Sequence, residues 1–104
     1  MDYKVEMSIV AHQDTDGILE YLINNLSSPK AAKHFYKLLS ACHKRLKRSP
    51  FMYPLCRDDE LAKQGFRCAS IMRYIVFYKI DENAKSVKIY RIIHGTMNYL
   101  EMNL

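Results

Sequence analysis

Five cations recur at helical spacing between residues 29 and 48: Lys30, Lys33, Lys37, Lys44 and Arg48. At about 100° per residue they fall in one stripe roughly 60° wide, with the apolar positions opposite. His34, Arg45 and Lys47 widen its edge. Such a stripe can track nucleic-acid phosphates, each contact adding salt-dependent affinity. It is also the form of an ordinary solvated helix face, and its like charges repel slightly. Towards the C-terminus stand Arg67, Arg91, His94 and Tyr99. A guanidinium can hold a phosphate through two parallel hydrogen bonds, and an imidazole titrates near neutral pH. A phenol ring can stack on an unpaired base. Each has a plainer reading. Arg67 can pair with a carboxylate, His94 can bond the backbone at a strand end, Arg91 can snorkel at an edge, and Tyr99 can pin the C-terminus to the core, which is the preferred reading for Tyr99. Lys63 either touches a phosphate or is solvated.

The chain has 104 residues, which suits one domain spanning 1–104 with a modest core. Apolar residues make up 49 %, ordinary for a globular protein, and the formal net charge is +5. That charge suits an acidic partner without choosing among nucleic acid, membrane surface and protein. The three cysteines, Cys42, Cys56 and Cys68, show no Cys-x-x-Cys spacing and no metal-ligand spacing with His34 or His43. They read as buried or idle thiols in a reducing cytoplasm, and neither metal nor cofactor is expected. Met1-Asp2-Tyr3-Lys4 lacks the basic stretch and apolar run of a signal peptide, and the apolar runs are too short to span a bilayer. The expected location is the cytoplasm, with no membrane partner.

These residues must be positioned by a small set of elements. Tyr3, Val5, Met7 and Ile9 alternate with polar residues, so 3–9 reads as a half-buried strand. Ile18, Leu19, Leu22, Ile23 and Leu26 mark a helix over 11–26, with Gly17 costing about 1 kcal/mol and loosening its first turn. Ser28-Pro29 caps and opens a second helix to Lys47 or Arg48, with Ala31, Phe35, Leu38, Leu39, Cys42 and Leu46 on its apolar face. So short a link predicts an antiparallel helix hairpin. Residues 49–64 read as irregular, with a short turn near 59–63. Strands follow at 66–71, 73–80 and 86–94, the last placing Arg91 with Ile89 and Ile93 on one side. Met97 to Met102 reads as a terminal helical turn. The prediction is an α+β fold of order β-α-α-β-β-β, a helix hairpin packed on a small, mainly antiparallel sheet.

Gly65-Phe66-Arg67, then Tyr74-Ile75-Val76-Phe77-Tyr78, then Val87 through His94-Gly95 form an ordered series. With the opening strand, Ser28-Pro29, Ser49-Pro50 and Pro54, this series resembles the RelE/ParE toxin superfamily over nearly the whole chain. The resemblance implies the toxin of a type II toxin–antitoxin module, a growth inhibitor tied to plasmid stabilisation and held inactive by a cognate antitoxin. It implies two kinds of target: DNA gyrase for ParE-like members, or the ribosome and its messenger RNA for RelE-like members, which are endoribonucleases.

RNA cleavage through the 2′-hydroxyl needs a base, a cation on the phosphorane and an acid. Arg67, Arg91, His94 and Tyr99 are the candidates, Arg67 lying where the superfamily keeps an arginine after its Gly-aromatic pair. Departures weigh against cleavage. The loop before Gly65 offers Lys63 alone, beside Asp58, Asp59 and Glu60, and Gly95-Thr96-Met97-Asn98 stands where RelE-like members keep an arginine. The balance tilts to a ParE-like toxin acting on gyrase, with a RelE-like nuclease next. A nucleic-acid-binding module without toxicity, resting on the basic stripe alone, is the reading from another class.

Overall fold

The computed structural model describes residues 2–96. Strand β1 (Lys4–Met7) leads into helix α1 (Ile9–Glu20), a π-helical turn (Tyr21–Asn25) and helix α2 (Pro29–Arg48). A 3-10 turn (Pro50–Met52) and short helix α3 (Asp59–Lys63) precede strands β2 (Arg67–Ile71), β3 (Tyr74–Asp81) and β4 (Ser86–His94). The order β-α-α-β-β-β is the one expected, and the short helix at 59–63 stands where the turn was read. The anticipated terminal turn at 97–102 lies outside the described residues, as does Tyr99.

The first strand is shorter than the alternation predicted. Ser8 ends it by capping α1: its hydroxyl oxygen accepts from the Ala11 N–H at 3.0 Å and the hydroxyl donates to the Tyr90 carbonyl at 2.8 Å. A satisfied N-cap outweighs one more alternating residue, so Ile9 is helical and 78 % exposed. The irregularity expected near Gly17 sits instead at the C-terminal end of the helix. There the Leu26 N–H bonds the Tyr21 carbonyl at 3.2 Å, five residues back. The wider turn leaves Leu22 buried but takes Ile23 and Leu26, which share its apolar helical spacing, out to solvent. Ser28 then caps α2 as expected, its oxygen 3.1 Å from the Ala31 nitrogen.

The sheet runs β1-β4-β3-β2. β2, β3 and β4 form an antiparallel meander, while β1 lies parallel to β4 with Val5 opposite Val87. The α1–α2 pair is the crossover that this parallel neighbour requires. Phe35, Leu39, Cys42 and Leu46 of α2 and Ile18 and Leu22 pack on Val76, Tyr78, Val87, Ile89 and Ile92. The second face is covered too, which the sequence reading did not anticipate. The 55–66 segment lays Cys56, Leu61 and Phe66 on Phe77 and Ile93.

The register of β3 and β4 slips between Phe77 and Tyr78, which face Arg91 and Ile89, leaving Tyr90 as an extra residue. The slip corrects the reading of Ile89, Arg91 and Ile93 as one row. Ile89 and Ile92 join the helix-side core, and Ile93 joins the other. The cysteines need correcting as well. Cys56 and Cys68 form a disulfide, tying the covering segment to β2, and Cys42 alone is a free buried thiol. Residues twelve apart in the chain became neighbours because the loop folds back over the strand that follows it.

Tyr78 is fully buried, and its hydroxyl donates to the Pro50 carbonyl at 2.7 Å. Burial pushes this phenol well above its usual range. Tyr78→Phe leaves that carbonyl unpaired and is expected to lower stability by about 1–2 kcal/mol, read as a lower urea midpoint at unchanged slope. Reducing the Cys56–Cys68 bond, which closes a loop of twelve-residue separation, is expected to cost about 3 kcal/mol in the same assay.

Candidate functional site

Past the bulge, β4 delivers Arg91 and His94 to the end of the sheet beneath α1. Asp14 meets Arg91 there. Its Oδ2 accepts from the Arg91 Nε at 2.8 Å and the Ile92 backbone N–H at 3.0 Å, and its Oδ1 accepts from a terminal guanidinium nitrogen at 3.1 Å. Both side chains are largely shielded from solvent, where a bidentate pair is stronger than on an open surface. The hydrogen bond to Asp14 raises the Arg91 pKa above its ordinary value, against the opposing effect of burial. Sequence reasoning passed over Asp14. The signal was its place on one helical face with Ala11, Ile18 and Leu22, since a carboxylate on a buried face needs a cation.

His94 is exposed. Its Nδ1 lies 2.8 Å from the Thr96 hydroxyl and accepts from the Thr96 backbone N–H at 3.2 Å. Accepting that bond puts the proton of the neutral ring on Nε2. The ring stands edge-on to Tyr74 at 5.5 Å, and Tyr74 stands edge-on to Phe35 at 5.3 Å. An aromatic line therefore runs from the core to His94. Burial raises the Tyr74 pKa, with a smaller contribution from Tyr21.

Arg67 is elsewhere. It pairs with Tyr78 in β2–β3, whereas His94 pairs with Tyr74 in β3–β4. The two are four residues apart along β3, about 13 Å, and two strands apart, about 10 Å. The Arg67 guanidinium donates to the Tyr53 and Phe51 carbonyls and lies over the Phe51 ring at 5.1 Å. Its visible work is to hold the 50–53 turn. The structure thus brings Arg91 and His94 to one groove, leaves Arg67 outside it and far from His94, and says nothing of Tyr99. Lys63 reaches Glu60 at 4.0 Å on the exposed rim of α3.

Arg91 and His94 line a groove of about 1010 Å³ between α1, the π-helical turn and the β2–β3 turn. Its floor is apolar, with Ile18, Leu22, Tyr74 and Ile92, and its rim carries Arg73 and Thr96. Tyr21, Leu26 and Met72, each 41–53 % exposed, converge on it. Three large apolar groups at one concavity mark a surface suited to a partner. A separate surface lies on α2, where Lys30, Lys33, Lys37, Lys44 and Arg48 are all exposed. None is ion-paired with a carboxylate among the described residues. A third basic feature escaped the sequence reading. Lys79 and Lys88 face each other across β3–β4 and both ammonium groups lie over the Tyr90 ring, at 5.6 and 5.0 Å. Cation–π attraction offsets part of their repulsion. Among the described residues no three His, Cys, Asp or Glu side chains group to hold a metal, and no helix is long and apolar enough to cross a membrane.

The family model described as the ParE toxin of the type II toxin-antitoxin system, parDE, matches residues 5–99. Solved structures with the same fold include the chromosomal ParDE system of P. aeruginosa, at 16 % identity and a TM-score of 0.69, covering 88 % of this chain and 95 % of that one. The RelBE2 toxin-antitoxin complex of Mycobacterium tuberculosis matches at 24 % identity and 0.62, covering 90 % and 92 %. The archaeal RelE-RelB complex of Pyrococcus horikoshii OT3 matches at 17 % and 0.59, covering 94 % and 100 %. At these identities the likeness is one of fold. No curated protein sequence matches the chain.

The Asp14 carboxylate joins α1 to β4 through three hydrogen bonds. Asp14→Ala leaves the Arg91 guanidinium and the Ile92 N–H without it, and is expected to lower stability by about 2–4 kcal/mol. Arg91→Ala paired with Asp14→Ala in a double-mutant cycle under chemical denaturation reads the coupling.

Proposed function

Since the chain belongs to the ParE toxin family of type II toxin–antitoxin systems, we propose that it is a toxin that inhibits growth by acting on DNA gyrase, neutralised by a cognate antitoxin seated in the groove beside His94. The observation that carries the choice of target is the separation of the residues suited to RNA cleavage. Arg67 holds a turn through the Phe51 and Tyr53 carbonyls and lies outside the groove that Arg91 and His94 line, and Arg91 is neutralised by Asp14. A nuclease of the 2′-hydroxyl type needs its cation and its acid at one scissile phosphate.

The basic face of α2 supports a target that carries nucleic acid, with Lys30 to Arg48 spanning about 27 Å along one side. The groove supports an antitoxin, since its apolar floor suits an apolar segment and the +5 chain suits an acidic partner. A toxin acting on gyrase would work in the cytoplasm, where that proposed target lies. The Cys56–Cys68 bond removes the earlier support that idle thiols lent to that location. A second reading, ribosome-dependent cleavage of messenger RNA, draws on His94, exposed and with its Nε2 outside the Thr96 bonds.

Induction in bacteria is expected to stop growth, and co-expression of the adjoining gene to restore it. Purified gyrase with the toxin is expected to accumulate stabilised cleavage complexes, while primer extension on messenger RNA from arrested cells shows no new cuts. Cuts without cleavage complexes would reverse the choice of target. Replacing Lys33, Lys37 and Lys44 together by Glu is expected to weaken the arrest at least about tenfold with the thermal midpoint nearly unchanged, because surface charges contribute little to stability.

A further inference from the structure

Gly17 and Met72 line the same groove from different elements, and each is a costly residue for the free chain. Gly17 lies inside α1, where glycine disfavours the helix relative to alanine. Neither of the usual reasons for glycine applies. Its φ is outside the left-handed region, and a Cβ built on it meets nothing within 4 Å. Met72 shows the converse. It opens the two-residue turn between β2 and β3 at φ 56°, a left-handed conformation that favours Gly, Asn or Asp over a bulky apolar side chain. The chain thus omits a side chain where one would stabilise the helix, and keeps a large one where the backbone resists it. Two residues kept against the preference of the free chain, one by helix propensity and one by backbone conformation, meet at one concave surface, and that points to contact with a ligand.

We propose that Gly17 and Met72 are the specificity-determining contacts of the groove. An apolar segment of the antitoxin passes against the bare α1 backbone at Gly17, closer than a side chain would permit. The flexible Met72 thioether packs on the segment from the β2–β3 turn. The inference rests on the reading that the antitoxin occupies this groove. The segment carries a carboxylate, because Arg73 beside Met72 is exposed and pairs with no carboxylate among the described residues.

Calorimetric titration of the purified chain with the product of the adjoining gene tests it, using Gly17→Ala, Met72→Asn and Leu26→Asp. Gly17→Ala is expected to raise the thermal midpoint of the free protein by about 4–8 °C while weakening the complex about tenfold or more. Met72→Asn is expected to leave the free protein at least as stable and to weaken the complex. Leu26, 53 % exposed at the groove rim, reports on the groove itself, and Leu26→Asp is expected to abolish binding. Parental affinity in both Gly17→Ala and Met72→Asn, with Leu26→Asp defective, would overturn the role of these two residues and leave the groove reading standing. Full binding by Leu26→Asp, or no binding by the parent chain, would overturn both.

Discussion

β1 lies parallel to β4, and a parallel neighbour is out of reach of a tight turn. The chain must leave the sheet, cross one face and return, and its helices are that crossing. The join is anchored at both ends. The Lys4 N–H bonds the Lys85 carbonyl at 2.9 Å, the Ser8 N–H bonds the Ile89 carbonyl at 2.9 Å, and the Ser8 hydroxyl reaches Tyr90. These contacts link residues about eighty apart in the chain, so α1 begins at a point defined by the last strand. With α1 so placed, Asp14 comes to Arg91 and the π-helical turn comes to the rim of the groove. The groove is therefore a consequence of where the first strand pairs.

The bulge at Tyr90 gives β4 two different faces. Before it, Val87 and Ile89 serve the helix-side core. After it, Ile92 takes over that role and Ile93 turns to the opposite layer. Without the extra residue Ile92 would turn from the helices, because side chains in a strand alternate with period two. The bulge also brings Arg91 to the edge, where the Asp14 carboxylate meets both its guanidinium and the next backbone N–H. One carboxylate thereby closes the junction between helix layer and sheet and forms a wall of the groove.

Electrostatically the molecule keeps two surfaces apart. The basic face of α2 has no acidic residue in its first turn, where negative charge would suit the helix dipole, although Arg45, Lys47 and Arg48 suit its last turn. Stability alone does not account for so many like charges on one helix. The groove is different in kind, apolar within and only sparsely charged at its rim. A polyanion and an apolar protein segment make different demands, and the two surfaces differ in the same way.

Much of this was legible in the residues. The Ser28-Pro29 cap, the apolar face of α2, the Asp59–Lys63 turn and the strand Ser86–His94 follow from periodicity and from side-chain bonds to nearby backbone, and such local preferences survive in the fold. The superfamily resemblance was legible for the same reason, since it rests on the order of those elements. The site was less so. Arg67 and His94 are separated by register, which is a property of paired strands. Arg91 is occupied by an aspartate 77 residues away in the chain, and Cys56 meets Cys68 because a loop folds over a sheet. Sequence determined which segments are helix or strand and that the chain is a toxin-like α+β domain. The tertiary structure alone decided which charged groups meet, because long-range pairing, a one-residue bulge and a π-helical turn each move side chains by distances that local periodicity does not encode.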